Sequence, residues 1–145
     1  RNNYTNGKYK KDSTGVNQLQ LYYSDWDNGA FAKAVPVPFN DKNYSTGHPA
    51  LSPDGKTLYF VSDRPGGQGL ADIWKVSITD DGTFGIPENA GAIINTNGRD
   101  AFPHLTDDGT LYFSSDGTSG SASSLVHCNI DLFLATQHYF TCMVN

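Results

Sequence analysis

Cysteine, methionine and charge are all scarce in this sequence of 145 residues. The only two cysteines, Cys128 and Cys142, are too few for the multi-bridge framework of a small secreted scaffold or for a four-ligand structural zinc site. They either close one short loop as a disulfide or stay free. Charged residues make up only 17% of the chain, and acidic side chains outnumber basic ones 15 to 10. No basic patch stands ready for a phosphate backbone, which argues against a nucleic-acid partner. No window approaches 18 consecutive apolar residues, so no direct membrane span is expected. The four histidines, His48, His104, His127 and His138, have no metal-ligand spacing. No G-x-S-x-G elbow, Walker lysine motif or H-E-x-x-H is present. The chain is therefore expected to be non-enzymatic, with no metal, no cofactor and no catalytic residues. It opens Arg1-Asn2-Asn3-Tyr4 with neither an initiator Met nor an apolar leader, and is expected to be a piece of a longer polypeptide.

What the chain does have is glycine, at 15 residues, and aromatics, at 12%, most of them Tyr and Phe. That composition disfavours a helical bundle and suits short strands joined by many turns. The main signal is an internal repeat. Pro49-Ala50-Leu51-Ser52-Pro53-Asp54-Gly55 returns as Pro103-His104-Leu105-Thr106-Asp107-Asp108-Gly109, at an offset of 54. Thr57-Leu58-Tyr59-Phe60-Val61-Ser62-Asp63 returns as Thr110-Leu111-Tyr112-Phe113-Ser114-Ser115-Asp116, at an offset of 53. Asp72-Ile73-Trp74 is echoed by Gln20-Leu21-Tyr22 and by Asp131-Leu132-Phe133, and Phe84 after Asp81-Gly82 matches Phe31 after Asn28-Gly29.

Within one unit, four strands are expected at 48–52, 57–62, 72–78 and about 84–94, with Asp-Gly or Asn-Gly supplying the positive-φ positions of tight turns. The second strand is apolar on both sides, as a strand stacked between other sheets must be. The unit has the size of a propeller blade. The fold class expected is therefore all-β: a partial β-propeller of about two and a half four-stranded antiparallel blades. Residues 1–17 read as a long inter-strand loop, 18–47 as the second half of a blade, 48–100 as a complete blade, and 101–145 as an incomplete or diverged one, with two or three strands.

The run Ser52-Pro53-Asp54-Gly55-Lys56-x-Leu58-Tyr59-Phe60-x-Ser62-Asp63-Arg64, followed by Asp72-Ile73-Trp74, resembles the WD-like repeat of TolB-type β-propellers. Ile94-Asn95-Thr96-Asn97-Gly98-Arg99-Asp100-x-Phe102-Pro103 resembles propellers of Bacteroidetes cell-envelope proteins, often fused to an OmpA-like peptidoglycan-binding domain. The resemblance implies a periplasmic, outer-membrane-associated protein that binds protein partners, with peptidoglycan reached through a domain outside this chain. A glycan- or peptide-binding propeller, or the regulatory propeller of a peptidase, is the alternative.

Loops carry function on a rigid frame. The longer connections, at 1–17, 38–47, 63–71, 95–100 and 117–129, are expected at the end opposite the Asp-Gly turns. They place Tyr44, His48, Arg64, Gln68, Asn97, Arg99 and Asp100 as candidate partner-binding residues, with His48 and Asp100 facing a central channel. Asp63, Asp72 and Asp116 are expected to organise loops by accepting backbone amides. Tyr59, Phe60, Trp74, Tyr112 and Phe113 are expected in the core. Asp25-x-Asp27-Asn28-Gly29 reads as a hairpin turn rather than a calcium loop, since it lacks the glycine and glutamate spacing of an EF-hand.

Overall fold

Short runs of β-formers broken by Gly, Asp and Asn give strands and turns throughout, and no helix occurs among the described residues. In a computed structural model of the chain these residues are 4–5, 8–9, 11–117, 124–130 and 140–144, of which 4–5, 9 and the last two stretches are described as backbone only. The strands are β1 (Tyr4–Thr5), β2 (Lys8–Tyr9), β3 (Tyr22–Tyr23), β4 (Trp26–Asp27), β5 (Ala30–Phe31), β6 (Val35–Pro36) and β7 (Thr46–Leu51). They continue with β8 (Thr57–Ser62), β9 (Asp72–Ser77), β10 (Glu88–Asn89), β11 (Asp100–Leu105), β12 (Thr110–Ser115), β13 (Ser124–Ile130) and β14 (Phe140–Val144). All the ladders between them are antiparallel. The chain divides into two compact units, 1–47 and 48–145.

In the first unit, β1 pairs with β2, so the stretch expected as an uninterrupted loop over 1–17 contains a short ladder. β3 pairs with β6, and β4 pairs with β5 through a two-residue turn. That turn puts Asn28 at φ 48° and Gly29 at φ 83°. Two successive positive φ values match the right-handed twist of a hairpin, and Asn-Gly is the pair that tolerates them best. The segment is thus a hairpin, with Trp26 opposite Phe31 and their rings edge to face at 4.6 Å.

The second unit repeats these pairings, with connections of different length. Tyr22 and Tyr23 face Pro36 and Val35, as Trp74 and Lys75 face Asn89 and Glu88. Trp26 faces Phe31 as Ile78 faces Phe84. The side chain of Asn40 accepts from the Leu21 N–H (3.1 Å) and donates to the Leu21 carbonyl (2.7 Å). Asn95 does the same to Ile73, at 2.8 and 2.9 Å. A carboxamide has one acceptor and two donors in a plane, so it copies the edge of a neighbouring strand at one residue. The fourth strand, expected over about 84–94, is correspondingly short: after Glu88–Asn89 an asparagine side chain takes over the pairing.

The second unit holds two four-stranded sheets, in the orders β10-β9-β8-β7 and β11-β12-β13-β14. The last sheet has four strands, more than expected, because β13 and β14 form within 124–144 and complete it. Asp131-Leu132-Phe133, expected to open its third strand, lie outside the described residues. Cys128 and Cys142 fall opposite each other in the β13–β14 register. The two sheets stack through Tyr59, Val61 and Ile73 on one side and Leu111 and Phe113 on the other, with Ile94 in the same cluster. β11 lies against both β8 and β9. The expected core residues Tyr59, Phe60, Trp74 and Phe113 are buried, and Tyr112 is half-buried.

Three Asp-Gly turns share one hydrogen-bond plan. A hydroxyl (Ser52, Thr79 or Thr106) donates to the aspartate two residues on. That aspartate also accepts the N–H of Lys56, Thr83 or Thr110. Only the glycines, at φ 72°, 81° and 84°, are left-handed. The aspartates therefore act through their carboxylates rather than through the positive φ expected of them. The turn closing on Ser52 and Thr57 has four residues, and the one closing on Thr106 and Thr110 has three. Lys56 is thus the extra residue that changes the repeat offset from 54 to 53.

Two predictions follow from these polar devices. Replacing Asn95, which is buried, by Ala leaves the Ile73 N–H unpaired, while the Ile73 C=O keeps the Ala90 N–H at 3.0 Å, and should cost about 1–3 kcal/mol. Urea denaturation with an unchanged m-value reads this, and Asn40→Ala in its less buried setting should cost less. The second prediction concerns acid. The Ser52, Thr79 and Thr106 hydroxyls, followed by the backbone N–H groups, hold Asp54, Asp81 and Asp108 below the ordinary carboxyl value of 3.8. Their contribution is complete above 3.8 and is lost as pH falls through the depressed folded-state values. A triple Asp→Asn variant should show a shallower loss of stability in that acid range, measured by denaturant midpoints at successive pH values.

Candidate functional site

The connection 63–71 leaves β8, and 95–100 leads into β11. The Leu70 N–H donates to the Gly98 carbonyl at 2.7 Å, and the Asp100 N–H donates to the Ala71 carbonyl at 2.8 Å. Ala71 and Arg99 form a parallel bridge. Beyond Arg99 the lacing continues to β12: the Asp116 N–H reaches the Arg99 carbonyl at 3.1 Å, and the Asp116 carboxylate accepts the Arg99 N–H. Backbones this close need glycine. A Cβ on Gly69 would sit 2.3 Å from the Gly98 oxygen, and one on Gly98 would sit 2.5 Å from the Gly117 nitrogen. Loops 63–71 and 95–100 are therefore fixed to each other, and with them Arg64, Gln68, Asn97 and Arg99.

The carboxylates organise this end of the sheets. Asp72 accepts the N–H groups of Gln68 and Gly69 and the amide of Asn89. Asp100 accepts the Thr96 N–H at 2.7 Å and the Thr96 hydroxyl at 3.1 Å. Asp100 is 0% exposed, so it offers nothing to a partner; its role is to hold the turn 96–99. This corrects the expectation that Asp100 faces a channel. The reason is that a carboxylate opening β11 finds amide and hydroxyl donors within its own loop.

The remaining candidates are in different settings. Asn97 and Arg99 are exposed, and Arg99 lies 3.9 Å from the Asp116 carboxylate. Gln68 is exposed, and its side-chain amide, oriented to satisfy both neighbours, accepts from the Ala92 N–H at 2.7 Å and donates to the Asn95 carbonyl at 3.3 Å. The Arg64 guanidinium spreads over the Phe60 and Trp74 rings, at 4.9 and 5.2 Å, and its Nε donates to Ser62. Tyr44 is half-buried in the first unit, on a connection that Gln18 and Gln20 hold by bonds to the Asn43 and Asp41 carbonyls.

His48 is on β7, an edge strand of its sheet, and Phe102 occupies the same repeat position on β11, an edge strand of the next. Both precede a proline, and both are left-handed, at φ 47° and 55°. The register between β11 and β12 slips between Ala101 and His104, so Phe102 and Pro103 form a bulge opposite Phe113. The rings of His48 and Phe102 stack at 4.3 Å with 21° between their planes. Phe102 remains 65% exposed. Sequence reasoning overlooked Phe102, although its signal was present: Phe102-Pro103 matches His48-Pro49 at the repeat offset.

The Nδ1 of His48 is buried without a hydrogen-bond partner. A bare lone pair is tolerated there better than an N–H, so the neutral ring carries its proton on Nε2. Among the described residues, no group of three His, Cys, Asp or Glu side chains gathers within metal-binding range. Asn95 and Asp100, the ends of the Asn-x-Asn-Gly-x-Asp run, are both spent on protein groups. No protein-family model matches the chain, and no curated protein matches it.

Burial pushes the His48 imidazole below its ordinary value of 6.5. The unfolded chain then takes up the proton first, so stability is full above about 6.5 and declines as pH falls below it. A carbon-detected NMR titration should show His48 titrating below 6.5. His48→Asn, which suits a left-handed φ, should remove that part of the pH dependence of stability.

Proposed function

We propose that the chain is part of a non-enzymatic β-propeller that serves as a protein-interaction platform in a bacterial cell envelope. The observation that carries this reading is the manner of stacking. The Tyr59–Val61 face of one four-stranded sheet meets the Leu111–Phe113 face of the next, and these are non-equivalent faces of the repeat. Head-to-tail contact of like units generates a ring or an open array rather than a closed pair. The register repeats between β3–β6 and β9–β10 extend the same unit upstream. Affinity comes from several loop side chains on a rigid frame, here Asn97 and Arg99 beside Arg64, rather than from one reactive group.

The periplasmic, outer-membrane-associated setting, and anchorage to peptidoglycan through a further domain, rest on the resemblance of 52–64 and 94–103 to envelope propellers. A pull-down from Gram-negative envelope extract with the immobilised chain tests the platform. A specific protein should be recovered by the wild type and lost with Asn97→Ala/Arg99→Ala, whose circular dichroism should stay that of the wild type. Equal recovery by the variant, or no specific protein at all, counts against it.

A further inference from the structure

The His48–Phe102 pair is costly. A non-glycine residue in a sparsely populated backbone region costs about 1–3 kcal/mol, and a residue before proline is further biased away from helical φ/ψ. Two such residues cost more than one ring pair returns, at about 0.5–1.5 kcal/mol. The stack therefore does not account for the backbone that presents it. Bulges re-aim side chains, and here the Phe102 bulge and the matching left-handed position at His48, on the edge strands β11 and β7, bring two rings to one place. The outcome is a flat ledge with one phenyl face open, next to a histidine whose one solvent-facing nitrogen carries a hydrogen.

The surroundings narrow what can sit on that ledge. Pro49 and Pro103 lack N–H groups, so the inner edges of β7 and β11 are poor templates for an added peptide strand at this point. The chain carries a net charge of −5, which disfavours an anionic ligand. The C–H face of a sugar, polarised by its ring oxygens, complements the π face, and its hydroxyls accept from an N–H at the side.

We propose that the His48–Phe102 ledge is a saccharide subsite: a neutral pyranose stacks on the open face of Phe102 and accepts a hydrogen bond from Nε2–H of His48. The proposal is independent of the protein-partner reading, since it needs only the ledge, and its failure leaves the pull-down result untouched.

The test is an NMR titration of the full chain with four neutral trisaccharides, of N-acetylglucosamine, cellulose, maltose and xylan type, following the His48 imidazole and Phe102 ring signals. At least one should move both sets of signals. Phe102→Trp should bind within about threefold of the wild type, and Phe102→Gly should weaken binding by about tenfold or more, a loss of about 1.4 kcal/mol or more. Glycine at φ 55° relieves strain, so that variant is expected to fold, and its amide dispersion verifies this. The proposal is overturned if no trisaccharide moves the two rings or if Phe102→Gly binds as well as the wild type. It is likewise overturned if proline-rich or aromatic peptides move the rings and the saccharides do not.

Discussion

β8 carries Leu58 and Phe60 on one side and Tyr59 and Val61 on the other, and that constraint shapes everything around it. A strand with two apolar faces must be covered twice, and an isolated antiparallel sheet covers neither. Phe60 is wholly buried, and so is Ile73 beside Val61. The second sheet meets the Tyr59–Val61 side with the equivalents of Leu58 and Phe60, namely Leu111 and Phe113. Because the faces in contact are unlike, the second sheet retains its own Tyr112–Ser114 face, and both of those residues are half-buried. Ser114 stands where the first sheet has Val61, so that face is more polar than its counterpart.

Stacking alone leaves the loops undefined, and polar side chains fix them. Asp72 and Asp100 each begin a strand and turn back to collect amides from the loop just before it. Asn40 and Asn95 stand in for a missing strand residue in each unit. Buried polar groups of this kind contribute only about 0.5–1.5 kcal/mol each when satisfied, but cost more when one partner is removed. Their effect is to select one arrangement. The same demand buries Asp100 and leaves Asn97 and Arg99 exposed.

Much of this was legible in the sequence. β8 lies where the β-formers between Lys56 and Asp63 put it, and the hairpin at Asn28-Gly29 follows from the residue pair that best suits its dihedrals. The packing of Tyr59, Phe60, Trp74 and Phe113 followed from their repetition. The asparagine latch was not legible. Leu21 and Ile73 are 52 residues apart but Asn40 and Asn95 are 55 apart, so the loop between them changes length and hides the match. The roles of the turn aspartates were misjudged because Asp-Gly suggests backbone geometry, whereas the carboxylate does the holding. β13 was missed because the expected motif lies after it, in 131–133, while the ladder to β12 uses 124–129.

The left-handed residues His48 and Phe102 put the strain where neither stacking nor loop closure requires it. A regular β11 would pair Phe102 into the ladder and direct its side chain to one face of the sheet or the other. The register slip between Ala101 and His104 instead frees Phe102, and Pro103 cannot restore the lost N–H bond. The identical dipeptide position at His48-Pro49 carries the same left-handed backbone, so the feature belongs to the repeat rather than to one residue. What differs between the copies is the ring displayed: an imidazole with a directed N–H in one and a plain phenyl face in the other. The repeat thus holds its backbone constant and varies the displayed ring, and it places that variation on two edge strands, β7 and β11, whose rings stack on each other.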